Sequence, residues 1–172
     1  MRSVSKVTFG GMITAVSVVI LALSSVIPSI DVTTALVAGV LLVLIIDFFG
    51  QKWAWMVFIA VSALSLMLLP NKGGALGYAM LFGPYIILKS SLEQIRRVVL
   101  EWIVKILLMN FMMTVYYIIM YCLGLVIMER PLLMLGTFLL GNLCFILFDV
   151  AGTKIITIYR LRYEPKIRKW LM

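Results

Sequence analysis

The sequence predicts an all-α membrane protein: a single bundle of six transmembrane helices, residues 1–172, with both termini cytoplasmic. Three observations carry that reading. Hydrophobic residues make up 64% of the 172 and charged residues only 13%, and the mean hydropathy of +1.16 lies far above the soluble range. Apolar runs recur at about the 20 residues that a hydrocarbon core roughly 30 Å thick requires. The basic residues, finally, fall in alternate connecting segments.

The first span is placed at 7–28. The opening Met1-Arg2-Ser3-Val4-Ser5-Lys6 resembles the start of a signal peptide, but the apolar run from Val7 to Ile27 is 21 residues long, and an ordinary signal core is about 7–15. It therefore reads as a retained span. The second and third spans are placed at 32–49 and 53–69. The fourth, 75–89, contains Gly83-Pro84, and a proline inside a helix removes a backbone donor and crowds the preceding turn. A kink or an unwound turn is expected there, with neighbouring helices satisfying the freed carbonyl. Lys89 to Arg97 reads as a surface loop or short helix. The fifth and sixth spans follow at 98–123 and 131–158.

With the N terminus inside, twelve of the fifteen Lys and Arg residues lie in inner segments, among them Lys52, Arg96, Arg97 and Lys166; only Lys72 and Arg130 lie in outer ones, and Lys105 lies within a span. The positive-inside rule selects this orientation and an even number of spans. The formal charge of +8 is thereby assigned to an anionic inner leaflet rather than to nucleic acid. The basic, aromatic tail from about 159 to 172 reads as an interfacial anchor. A prokaryotic plasma membrane is the expected location.

Polar residues inside spans are costly and turn towards protein or a cavity. In span five, Asn110, Thr114, Tyr117 and Tyr121 recur at i, i+4, i+7 and i+11, forming one stripe from mid-membrane outwards. Asn142 in span six falls at the depth of Asn110, given a rise of about 1.5 Å per residue. Span one presents Ser17, Ser24 and Pro28, with Thr14 nearby. Together these suggest an uncharged, aromatic-lined, outward-facing pocket for a small polar molecule, with Asn110, Thr114, Tyr117, Tyr121, Asn142 and Ser24 as substrate-binding residues. The competing account is interhelical hydrogen bonding, worth about 0.6 kcal/mol per pair. Hydroxyls also bond readily to their own helix backbone.

A second face of span one carries Gly11, Ala15, Val18 and Ala22. Gly11-x-x-x-Ala15 is a small-x-x-x-small pair that admits close helix approach, either within the bundle or by a separate membrane protein. Glu101 and Lys105, at i and i+4 on the face opposite Asn110, read as a self-neutralising pair. Asp47 and Asp149, towards the inner ends of spans two and six, are assigned local compensation by Lys52 and Lys154. Asp31, Lys72, Glu129 and Arg130 are the only outer charges.

No enzymatic reading survives these residues. The chain has no histidine, which closes the zinc H-E-x-x-H and serine–histidine routes. Cys122 and Cys144 lack metal-ligand spacing and read as small apolar residues. Gly141-Asn142-Leu143 is similar to the G-N-L of lipoprotein signal peptidases, but Cys144-Phe145 follows where that family has an aspartate and a basic residue. No catalytic residue, metal or cofactor is expected.

Six spans in this length, both termini inside, the Gly11/Ala15 pair and polar residues in the outer halves of the late spans resemble the substrate-binding S component of energy-coupling factor (ECF) vitamin transporters. The family's Ala-x-x-x-Ala stands here as Gly11-x-x-x-Ala15. The resemblance implies capture of a vitamin-like solute from outside, docking through Gly11 and Ala15 onto a membrane T component, and energy from separate ATPase subunits. The alternative is a non-transporting membrane scaffold similar to the rod-shape determinant D family, acting through helix–helix contacts and needing no pocket.

Overall fold

The computed structural model describes residues 3–27, 30–93, 97–125 and 131–162. Pro28, Arg96, Glu129, Arg130 and the basic tail from Tyr163 onward, all singled out in the sequence, lie outside these residues. Among the described residues six helices follow one another: α1 (Ser3–Val26), α2 (Asp31–Phe49), α3 (Gln51–Leu68), α4 (Lys72–Leu92), α5 (Val98–Cys122) and α6 (Pro131–Arg162). Each is long and apolar enough to cross a membrane. A helix satisfies its backbone groups internally, so it is the element such apolar sequence forms in lipid, where no water replaces a missing partner.

The connections are short and built from their own residues. Between α2 and α3 a single glycine makes the turn: Gly50 has φ +85° and its amide donates to Ile46 O, a backbone state that side-chain-bearing residues rarely adopt. At the far end of α3, the Lys72 ammonium donates to Leu66 O and Leu69 O, 2.6 Å each, closing carbonyls that the helix terminus leaves open. Asn71 caps α4 by accepting from the Gly73 amide at 3.0 Å.

The disruption expected at Gly83-Pro84 takes a definite form. Residues Tyr78–Phe82 form a π-helical turn, and the Gly83 amide donates to Tyr78 O, five residues back. Pro84 has no amide to give, so widening the turn relieves the clash its ring would make with the preceding backbone. The wide turn also needs Gly83 itself. A Cβ there would sit 2.5 Å from the Phe58 ring and 2.9 Å from Tyr78 O.

α4 is the centre of the bundle. Of its membrane-length window 56% is buried inside the protein, against 17% for α5 and 18% for α6. Around it, α1, α2 and α3 pack a core of Leu21, Leu42, Ile45, Val61, Tyr78 and Ile87, with Ala35, Ala38 and Ala54 letting backbones approach. Helix direction alternates. At the end carrying the start of α1, Lys6 lies over Trp53 and Gln51 donates to Ile87 O and Ser91 Oγ. At the opposite end, Asn71 donates to Ser24 O and to Asp31 Oδ1, 2.9 Å each. α5 and α6 pack on each other and against α4, with much of their apolar surface turned outwards.

Three sequence boundaries are corrected. α4 runs Lys72–Leu92 rather than 75–89, because Asn71 caps it earlier and the π turn carries it through the proline. Lys89, expected in a surface segment, is inside that helix and 5% exposed. α6 continues to Arg162.

Candidate functional site

The two mid-membrane asparagines meet. Asn110 Nδ2 donates to Asn142 Oδ1 at 3.0 Å and Asn142 Nδ2 donates to Asn110 Oδ1 at 2.9 Å. Each amide also donates back to its own helix, to Ile106 O and Phe138 O, 2.9 Å each. All four side-chain N–H groups are thereby used, and the matched depth read from the sequence is realised as a reciprocal clasp between α5 and α6. Thr114 Oγ1 bonds Asn110 O within its own helix at 2.8 Å, and Tyr121 is exposed on the outside of α5.

Beside this clasp lies a cavity of about 430 Å³ between α2, α4, α5 and α6, within the size range of small-molecule sites. Of the stripe read from the sequence, only Tyr117 lines it; Asn110, Thr114, Tyr121, Asn142 and Ser24 do not. Its walls are instead apolar and aromatic, with Phe82, Met109, Met113, Tyr116, Phe145 and Phe148 prominent. Phe82 and Phe148 meet edge-to-face, centroids 5.9 Å apart. The Tyr117 hydroxyl is buried and has no hydrogen-bond partner among the described residues. Sequence reasoning missed most of these residues. Their helical spacing (Met109, Met113, Tyr116; Gly141, Phe145, Phe148) was visible, but an apolar stripe facing a cavity looks the same as one facing a neighbouring helix.

At the end that carries the start of α1, three helices are tied by a buried ionic cluster. Asp149 of α6 is 2% exposed. Its Oδ1 accepts from the Lys89 ammonium at 2.6 Å and from the Tyr85 hydroxyl at 2.5 Å, and its Oδ2 accepts from Lys105 at 2.9 Å. Lys89 spends its other donors on Asp149 O and Thr153 Oγ1. Lys105 also pairs with Glu101 at 2.7 Å and lies 5.5 Å from the Trp102 ring centroid. The Glu101–Lys105 pair expected from the sequence exists, but Lys105 does not stop there: it is 2% exposed and bridges to α6. The compensation of Asp149 by Lys154 is likewise corrected to Lys89 and Lys105, brought over by α4 and α5.

Ser24 belongs to a different cluster, at the opposite end of the bundle. Fully buried, it donates to Leu21 O at 2.7 Å, and its carbonyl accepts from Asn71. Ser17 is fully buried and its hydroxyl has no partner among the described residues.

Gly11 and Ala15 both lie on the exposed side of α1 and line a groove of about 620 Å³ against α3, with Lys6 and Trp53 among its other residues. A Cβ on Gly11 would meet nothing within 4 Å, whereas one on Gly10 would touch Val57 at 3.4 Å. Internal packing of α1 on α3 therefore uses Gly10, and the Gly11 side faces outwards.

Among the described residues no cluster of three or more His, Cys, Asp or Glu is placed to hold a metal. Comparison with protein-family models, with curated proteins and with solved structures yields no match.

Proposed function

We propose that this chain is the substrate-capture subunit of a membrane importer of the ECF type, taking a small vitamin-like solute from outside with both termini cytoplasmic in a prokaryotic plasma membrane. The T component and ATPase subunits are separate chains, and this chain itself does no catalysis. One observation carries the reading: the cavity between α2, α4, α5 and α6, which stands at the depth of Tyr117 and beside the asparagine clasp. With the N terminus inside, Val32, Tyr117 and Thr137 put that cavity in the outer half of the membrane. Tyr117 is then a contact residue, while Asn110 and Asn142 brace the α5–α6 wall. The open, small-residue side of α1 at Gly11 and Ala15 supports a docking face near the cytoplasmic end.

The scaffold reading is favoured by one specific feature, the reciprocal clasp of Asn110 and Asn142, which leaves neither amide an N–H for a ligand. Purification from native membranes in mild detergent separates the two. The importer reading expects a multi-spanning partner and an ATPase chain to accompany the wild type, and Gly11→Leu to lose both while staying folded. Recovery of membrane partners without any ATPase chain supports the scaffold. Retention of the complex by Gly11→Leu removes the docking role from this face.

A further inference from the structure

The cavity that carries the proposed function also limits what it can hold. Among the described residues, the fifteen that line it include no Asp, Glu, Lys or Arg. An ionised solute placed there would lose its hydration with no countercharge in return, and an uncompensated buried charge is among the most costly arrangements in a protein. The charged clusters lie elsewhere: Asp149 with Lys89 and Lys105 at one end of the bundle, Asp31 with Asn71 at the other. Neither Asp149, Lys89, Lys105, Asp31 nor Asn71 lines the cavity.

What the walls offer is flat apolar surface. Phe82, Phe145, Phe148, Tyr116 and Tyr117 supply rings, and Met109 and Met113 supply adaptable thioether surface. The Tyr117 hydroxyl has no partner among the described residues but is closed off from the open space, so what Tyr117 presents to an occupant is its ring. Two of the lining residues, Val32 of α2 and Leu140 of α6, are also 67% and 64% exposed on the outside of the bundle. Both are aliphatic, which suits a solute that partitions into lipid.

We infer that the cavity binds an uncharged, planar, mostly apolar ring compound, held between the aromatic side chains of α4, α5 and α6. This rests on the capture reading and narrows it, since ionised vitamins such as a carboxylate or a thiazolium do not meet the walls' chemistry.

The test uses the full chain in nanodiscs and tritiated 2,3-dimethyl-1,4-naphthoquinone, whose fully substituted quinone ring does not add to the Cys144 thiol at the cavity wall. Saturable binding is expected, abolished by Met113→Trp from α5 and independently by Leu36→Trp from α2, two changes that fill the cavity from different walls. Thiamine and biotin at the same concentration should not compete. If either charged compound binds and is excluded by the two tryptophan variants, the class assigned here is overturned while the capture reading stands. Quinone binding that survives both tryptophan variants lies outside the cavity and also overturns the inference. If no solute binds and both tryptophan variants melt higher than wild type, the space is a packing gap and both readings fall.

Discussion

Asp149 is the group whose loss should damage this fold most. It is 2% exposed and holds two ammonium groups, Lys89 and Lys105, themselves 5% and 2% exposed, together with the Tyr85 hydroxyl. Asp149→Asn keeps the shape and removes the charge, leaving two buried cations with Glu101 at 2.7 Å and the more exposed Glu93 at 3.6 Å. Removing one partner from a buried ion pair costs about 3–5 kcal/mol. At about 2–4 °C per kcal/mol for a chain of this size, that is a melting-temperature drop of roughly 6–20 °C. The loss comes from stranded charge rather than from a favourable bridge. The triple change Lys89→Met, Lys105→Met, Asp149→Leu should therefore recover most of it, since replacing a buried ionic group by apolar side chains of similar volume is often neutral. Thermal unfolding in detergent, followed by tryptophan fluorescence, reads both variants. An Asp149→Asn protein melting within a degree or two of wild type would refute the reasoning, as would a triple variant less stable than the single one.

Cysteines placed at Pro70, between α3 and α4, and at Lys52, at the start of α3, should label from outside and inside respectively with an impermeant maleimide; reversal of either breaks the N-in, C-in topology. Asn110→Leu should destabilise by about 0.6–1.7 kcal/mol, and Asn110→Leu with Asn142→Leu by less than the sum of the single changes, because the second substitution removes an already orphaned amide; additive losses in a double-mutant cycle would contradict the reciprocal clasp. Gly83→Ala should cost about 1–3 kcal/mol or more, since its Cβ meets both the Phe58 ring and a backbone oxygen; a neutral melting temperature would contradict the π turn.

The six helices were legible because lipid admits so few backbone solutions that hydropathy alone nearly enumerates them. Rise per residue likewise placed Asn110 level with Asn142. The partners of Asp149 were not legible. Lys89, Lys105 and Asp149 are separated by 16 and 44 residues, and their meeting depends on which helices are neighbours, which helical periodicity does not encode. Sequence proximity pointed to Lys154 instead. The cavity escaped for a related reason. Polar residues draw attention inside a membrane span, yet here the two amides bond to each other and to their own helices, and the open space is walled by Phe, Met and Leu, which in sequence look like lipid-facing or packed positions. Ser24 was grouped with Asn110 as a polar position within a span, but it lies on α1 against the Asn71 cap of α4, in another part of the bundle.

Native mass spectrometry of the protein released from its own membranes tests the capture role most directly, because it reads what occupies the cavity without presupposing the ligand. The account predicts a wild-type adduct lighter than any phospholipid, absent from Met113→Trp and from Leu36→Trp. Wild-type protein that carries only phospholipid, with spectra unchanged by both substitutions, would contradict it.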